Sequence, residues 1–292
     1  MSFATRSALD ALLELEPSST LRNAPRPFAA TSDDRTPPNL LVNGCGRSGT
    51  HAVVSLLRRH GVKAMHEGRG HEVTVGWPYV GRTEDWPTLW PMAQQPRAHQ
   101  PHDPIFKVHR HPLPAILSIA AAFTSSGGCR GASERKWDAR AWNCASHFVN
   151  LPVEQADVAA QTTCAYKRPH RLKLALHYWV KWNLLADKWA THTFPVESFT
   201  MGELASEWCG YCARSNTCTC SPAASTALAN RTVERVRPRK GHDPRKLLRK
   251  TRFDWAHLEA VDPGMARIAR LMAKTYGYDV ANVSAPIRKQ SR

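Results

Sequence analysis

The segment LVNGCGRSGTH, residues 41–51, restricts the fold of this 292-residue chain more than any other stretch of its sequence. The apolar run before the glycines, residues 39–43, follows two prolines and is typical of a short buried strand. Residues 50–61 after them place apolar side chains at helical spacing and end in basic residues and Gly61, as a helix does. A strand, a tight glycine turn and a helix in this order predict the first unit of an α/β fold.

Strands and helices continue to alternate, so the predicted fold class is α/β, a parallel sheet flanked by helices. The patterns predict strands over residues 62–67, 105–110 and 193–198, and helices over residues 114–123, 171–192 and 262–276. The Gly-, Pro- and Trp-rich residues 68–104 are predicted to be long loops. The predicted domains are a flexible N-terminal lead (1–38), a single domain (39–280) with an insertion at 124–170 and a cysteine-rich loop at 209–220, and a basic tail (281–292).

Basic residues outnumber acidic ones, 40 Lys and Arg against 24 Asp and Glu, which gives a formal net charge of +16 at pH 7. This excess favours an anionic partner: a nucleotide, a nucleic acid, an acidic glycan or a membrane surface. Basic tails without a ligand, such as the C-terminal APIRKQSR, are the alternative explanation. No run of 18 apolar residues occurs, so the sequence predicts no transmembrane segment, and residues 1–38 lack the apolar core of a secretory signal.

Half of the eight cysteines stand close together, in the spacing C-x2-C-x5-C-x-C. They could form two disulfides, hold one zinc ion or remain free thiols, and the short central gap favours disulfides over zinc. The four residues are Cys209, Cys212, Cys218 and Cys220. Together with glycosylation sequons at Asn230 and Asn282 they favour an oxidising secretory lumen, while the lack of a visible signal or anchor leaves the cytoplasm open.

The glycine-rich turn is suited to holding a phosphate, because backbone N–H groups and a helix N-terminus would point into it. Gly44, Gly46 and Gly49 would allow close approach, and the side chains of Ser48, Thr50 and His51 could add donors. The nucleotide-triphosphatase turn, G-x-x-x-x-G-K-[ST], is not matched, because Thr50-His51 replaces Lys-[ST] and the cation lies inside the turn at Arg47. An ordinary glycine-rich βα turn is the alternative.

A second pair of polar residues follows the strand predicted at residues 105–110. Arg110 ends that strand, and Ser118 stands eight residues later in the first turns of the next helix. A guanidinium and a hydroxyl on one side of this junction are suited to a second phosphate.

The two segments together resemble the two signatures of the P-loop sulfotransferases, which use 3'-phosphoadenosine-5'-phosphosulfate as donor. GCGRSGT matches the first signature, and Arg110-x-Pro112-x5-Ser118 matches the second. HYWVKWN, FPVESF and FDWAHL…MAKTYGYD are similar to further family stretches. The resemblance implies a P-loop, sulfotransferase-like architecture and sulfuryl transfer to a hydroxyl acceptor such as a glycan. The sulfuryl transfer implied by this resemblance requires no metal ion.

The resemblance also implies roles for individual residues. The 5'-phosphosulfate would be held by Arg47 together with the backbone of Gly46, Ser48, Gly49 and Thr50. Arg110 and Ser118 would hold the 3'-phosphate, and Arg47 would stabilise the leaving group. The family's late lid loop is matched in letters by Arg239, Lys240 and Gly241, although the glycine and tryptophan that follow it are not at the family spacing, and a solvated basic stretch is the alternative.

The acceptor hydroxyl needs a general base, and Glu67 is the first candidate, with His66 the second. Both stand at the carboxyl end of the second predicted strand, which faces the ligand crevice in an open parallel sheet. Aromatic residues for acceptor binding follow in the next loops: Trp77, Tyr79, Trp86 and Trp90. Those at helical spacing later in the chain are predicted to be core: Tyr178, Trp179, Trp182 and Trp189.

Two other classes of protein remain open. A nucleic-acid or polyanion-binding protein fits the charge, but no helix-turn-helix, zinc-finger or RNA-binding signature occurs, so no specific nucleic acid is expected. A P-loop kinase or triphosphatase is disfavoured by the missing Lys-[ST] pair.

Overall fold

The computed structural model describes residues 40–66, 72–76, 104–125, 168–216, 218–230, 234–235 and 253–281. The strands in these residues are β1 (Leu40–Gly44), β2 (Ala64–His66), β3 (Val73–Gly76), β4 (Ile105–His109) and β5 (His192–Pro195). The helices are α1 (Thr50–Arg59), α2 (Pro112–Ser125), α3 (Arg168–Trp189), α4 (Met201–Ser215), α5 (Pro222–Ala229), α6 (Trp255–Glu259) and α7 (Pro263–Thr275). No helix in the described part of the chain is long and apolar enough to cross a bilayer.

The five strands form one parallel sheet in the order β2-β3-β1-β4-β5. The predicted class, α/β with a parallel sheet flanked by helices, is therefore confirmed. The prediction of loops throughout residues 68–104 is wrong, because β3 lies inside that range and pairs with both β1 and β2. Its four residues are all buried. A strand this short is stabilised by neighbours on both sides, which the local sequence does not reveal.

Helices cover both faces of the sheet. On one face, α1, α4 and α5 pack against alternate strand residues, among them Leu40, Val42 and Val108. On the other face, α2, α3, α6 and α7 share a second cluster that contains Trp179 and Trp182. The prediction that Tyr178, Trp179 and Trp182 are core residues is confirmed, because each is at most 2% exposed. Trp189 is partly buried and packs against Leu41 and Ile105.

Element boundaries differ from the predicted ones by a few residues. α2 begins at Pro112 rather than residue 114, with proline in the first turn, where its missing N–H costs nothing. α3 ends at Trp189 because Thr191 N–H donates to the carbonyl of Ile105 and starts the pairing of β5. α4 was not predicted, although Thr200 and Glu203 form a capping box at its start, a signal readable in the sequence.

The segment 209–220 is not a loop throughout, because Cys209 and Cys212 lie on α4. Disulfides join Cys209 to Cys220 and Cys212 to Cys218, so the disulfide alternative is the one that the structure contains. The two bridges tie the end of α4 to the segment that leads into α5. Cys45, in the glycine-rich turn, is a buried free thiol.

Lys107, in the middle of β4, is a fully buried cation. Its Nζ donates to Asp187 Oδ1 at 2.6 Å, to the Asn183 carbonyl at 3.1 Å and to the Tyr276 hydroxyl. Burial lowers the pKa of Lys107 to about 8, while the charge of Asp187 opposes this shift. The ammonium group therefore stays charged at neutral pH and links β4 to α3 and to the end of α7.

We expect Asp187→Asn to lower the free energy of unfolding by about 3–5 kcal/mol at neutral pH, because the buried ammonium loses its counter-charge. The loss should shrink at about pH 9.5, where Lys107 is already mostly neutral in the native protein with its pKa of about 8. Urea unfolding at both pH values measures this. Glu259→Gln is the control: it breaks an exposed pair with Arg270 and should cost under about 1 kcal/mol. Equal losses in the two variants would contradict the role of Lys107.

Alkylation of the unfolded, non-reduced protein should leave the four cysteines of residues 209–220 unmodified, because their sulfurs are paired. Peptide mapping by mass spectrometry should recover the 209–220 and 212–218 links, and a reduced sample should show all four labelled. Four labelled thiols without reduction would rule the pairing out.

Candidate functional site

The carboxyl ends of parallel strands meet at one edge of the sheet, so the residues that follow them converge there. The turn between β1 and α1, residues 45–49, lies in the middle of this edge, because β1 is the central strand. His66 ends β2, Arg110 follows β4, and Glu197 follows β5. The structure thus gathers the predicted residues of both signatures in one place.

The glycines of the turn are explained by the chain's own packing. A Cβ on Gly44 would lie 2.7 Å from Val108 Cγ2, and one on Gly46 would lie 3.2 Å from the Tyr178 hydroxyl. Gly49 has a φ of +93°, and its Cβ would lie 3.0 Å from Val196. Packing within the chain is therefore enough to explain these glycines, without the predicted close approach of a ligand.

The backbone N–H groups of the turn show better than its glycines where an anion could bind. Gly46 N–H donates to the Tyr178 hydroxyl at 3.3 Å, and Ser48 N–H donates to the Cys45 carbonyl. Within the described residues, the N–H groups of Arg47, Gly49 and Thr50 have no acceptor. α1 has no acidic residue in its first turn and no side-chain cap. A helix N-terminus in this state favours an anion.

Arginine and serine side chains border these N–H groups. Arg47 Nε donates to Ser118 Oγ at 3.1 Å, and Arg110 Nη1 donates to the Arg47 carbonyl at 3.2 Å. The sequence paired Ser118 with Arg110, whereas the structure bonds Ser118 to Arg47 and uses Arg110 to hold the turn. Arg47 itself has a φ of 68°, uncommon for a residue with a side chain. Two guanidinium groups and one hydroxyl therefore form a single cationic cluster.

Another helix that begins near this edge, α2, already has an anion at its N-terminus. The Glu197 carboxylate accepts from the His111 N–H at 3.1 Å and from the Tyr278 hydroxyl at 2.8 Å. Glu197 thus joins the start of α2 to the segment that follows α7. The difference between the capped α2 and the uncapped α1 points to α1 as the helix end that can receive a ligand.

A pair of histidines lies beside the start of α1. The rings of His51 and His66 stack with centroids 3.5 Å apart and planes 16° from parallel. Thr50 Oγ1 and His66 Nε2 are hydrogen-bonded at 2.9 Å. Burial lowers the pKa of His66 to about 4, and the nearby charges of His51 and Arg58 add to the shift. His66 is therefore neutral at pH 7, the form that can accept a proton.

Some predicted site residues are less available than expected. Ser48 is fully buried, so its side chain does not reach the open edge of the sheet. Its N–H donates to the Cys45 carbonyl within the turn. The Thr50 hydroxyl is engaged by His66, although the Thr50 N–H stays open. The remaining candidates lie outside the described residues: Glu67, Trp77, Tyr79, Trp86, Trp90, Arg239, Lys240 and Gly241.

Sequence reasoning missed two residues that support the turn. Tyr178 was assigned to the core, and it is buried, but its hydroxyl also accepts from Gly46 N–H. Tyr278 joins Glu197 to the carbonyl of His109 at the end of β4. Only the three-dimensional structure brings these distant segments together, since no local pattern marks them.

Comparison with protein-family models, with curated proteins and with solved structures gives no match. The site is therefore interpreted from its own geometry. Among the described residues, no group of three or more His, Cys, Asp or Glu side chains is gathered in a way that could hold a metal ion.

We expect Gly49→Ala to lower the free energy of unfolding by about 2–3 kcal/mol, because the left-handed backbone and the close Val196 side chain both oppose a Cβ. Gly277→Ala is the matched control: its φ is also positive, but nothing lies within 4 Å of the added Cβ. This change should cost about 1 kcal/mol. Urea unfolding compares the two. Equal costs would show that Val196 yields freely and that the turn is not tightly packed.

Proposed function

We propose that this protein is a sulfotransferase that moves a sulfuryl group from 3'-phosphoadenosine-5'-phosphosulfate to a hydroxyl acceptor such as a carbohydrate. The observation that carries the proposal is the combination of open N–H groups at the start of α1 with the Arg47, Arg110 and Ser118 cluster beside them. The resemblance of the same two segments to the P-loop sulfotransferase signatures supports it. We propose in addition that the parallel sheet and its helices have the P-loop architecture of this family.

In this proposal the 5'-phosphosulfate lies against the N–H groups of Arg47, Gly49 and Thr50, where the helix dipole favours negative charge. Only Nε of the Arg47 guanidinium has an acceptor among the described residues, so its Nη groups remain for phosphate oxygens. Arg110 and Ser118 would receive the 3'-phosphate. Because Ser118 touches Arg47, the two phosphate positions would be close neighbours.

Transfer would proceed by in-line attack of the acceptor oxygen on sulfur, with negative charge growing on the bridging phosphate oxygen. Positioning and electrostatic stabilisation supply most of the catalysis in such reactions. Arg47 and the α1 N-terminus are the groups able to stabilise the leaving bisphosphate.

A kinase or triphosphatase is less well supported. The residue at the position of the P-loop lysine is Thr50, and its hydroxyl is bonded to His66. The cation of the turn, Arg47, stands ahead of the helix instead. A cradle of this kind suits one phosphate with its attached group better than a magnesium-bound triphosphate.

Calorimetric titration with adenosine 3',5'-bisphosphate tests the proposal. We expect micromolar binding by the native protein, weakened about 10- to 100-fold in Arg47→Ala and in Arg110→Ala, because each removes a charged donor to phosphate. Arg59→Ala is the matched control, since Arg59 lies at the opposite end of α1 and pairs with Glu234. Its affinity should stay within about twofold of the native value.

Further titrations separate the rival functions. A folded native sample that does not bind the bisphosphate contradicts the proposal. Tighter binding of ATP or GTP with Mg²⁺ would support a kinase or triphosphatase. Binding of random oligonucleotides that weakens steeply with salt, without bisphosphate binding, would support a polyanion-binding protein.

A further inference from the structure

The cluster of Thr50, His51 and His66 lies directly beside the proposed sulfuryl position, because Thr50 contributes one of the open N–H groups and His51 is the next residue. His51 is exposed, on the first turn of α1. Its ring lies flat against that of His66, which comes from the end of β2. An exposed imidazole thus borders the place where an acceptor oxygen would meet the sulfur.

The two histidines differ in what they can do. His66 is half-buried, and its Nε2 is held by the Thr50 hydroxyl, so its position is fixed by the protein. His51 has its ring face against this fixed partner and its side chain toward solvent. This arrangement is typical of a reacting group and the group that orients it.

The surroundings keep the imidazole of His66 neutral, because burial lowers its pKa to about 4. The positive end of the α1 dipole disfavours a cation at its first turn. Among the described residues, His51 and Arg58 are charged or titratable neighbours of His66, and both lower its pKa. Two stacked rings with centroids 3.5 Å apart also resist a second positive charge. A neutral imidazole is the form that accepts a proton.

We propose that His51 is the general base of the reaction and that His66, held by Thr50, positions its ring. This inference rests on the proposed sulfuryl transfer, and it assigns the base to a residue other than Glu67. The acceptor O–H bond breaks, and its proton moves to a ring nitrogen of His51. The acceptor oxygen forms the new O–S bond. The bond from sulfur to the bridging oxygen breaks, and its electron pair stays on adenosine 3',5'-bisphosphate. The imidazolium then returns its proton to water.

The test measures transfer from radiolabelled donor to water, to 4-nitrophenol and to unsulfated chondroitin, together with bisphosphate binding by calorimetry. His51→Gln should lower kcat about 100-fold or more and leave bisphosphate affinity within about twofold. Glu67→Gln is the competing variant: a fall in its kcat, with the native kcat kept in His51→Gln, would place the base at Glu67 instead. His192→Gln is the matched control, because His192 begins β5 at the opposite edge of the sheet. The native kcat should fall as the pH is lowered and His51 becomes protonated, and this dependence should be absent in His51→Gln.

The positioning role of His66 has its own test. His66→Phe keeps a ring against His51 and should retain kcat within about fivefold, whereas His66→Ala should lose about tenfold or more, with the donor KM unchanged in both. Equal kcat values in the two variants would overturn the positioning role of His66. A fall in kcat that parallels the fall in the free energy of unfolding of each variant would show that His66 is only a structural residue, and would overturn that role too.

The other possible results of the kcat and binding measurements each contradict a specific part of the proposal. A native kcat in His51→Gln, or loss confined to Glu67→Gln, overturns the assignment of the base. A native protein that binds the bisphosphate but transfers to neither water nor the other acceptors also overturns it, and leaves the nucleotide site standing. A native protein that does not bind the bisphosphate refutes the proposed function itself.

Discussion

The parallel pairing of β1 with a neighbour on each side is the constraint on which the candidate site depends. β3 and β4 both bond to β1, so the turn that follows it is fixed at the centre of the sheet's carboxyl edge. The side chain of Val108 fills the space beside Gly44 and Tyr178 fills that beside Gly46, which sets the path of the turn from below. The meeting of Arg47 and Arg110 at this edge follows from this placement.

Two helix N-termini at the same edge have opposite electrostatic states. The carboxylate of Glu197, which follows β5, accepts from the His111 N–H at the start of α2 and from the Tyr278 hydroxyl. α1 has no acidic residue in its first turn and no side-chain cap, and Arg47 and Arg110 lie next to its start. Among the described residues, two guanidinium groups thus lie beside one uncapped helix N-terminus, which a general excess of basic residues over the surface would not produce.

Much of this was readable from the sequence, and the failures have physical causes. The α/β class and the strand–turn–helix unit at residues 40–59 follow from local periodicity, which is why they were predicted. β3 was missed because its stability comes from β1 and β2 rather than from its own four residues. The bond from Arg47 to Ser118 was not foreseen, because spacing along the chain does not say which guanidinium reaches the hydroxyl. The glycine pattern was readable, but its cause, contact with Val108, Tyr178 and Val196, was not.

The buried ammonium of Lys107 also constrains the order in which this fold can be completed. Its hydroxyl partner, Tyr276, stands 169 residues later in the chain, and Tyr278 bonds the end of the same strand. During synthesis the residues of β4 are therefore made long before Tyr276 and Tyr278, which bond to them. Contacts of such high sequence separation slow folding, since a long loop must close before they form. The buried pair of Lys107 and Asp187 thus acquires its last hydrogen-bond partner only when the segment after α7 reaches β4.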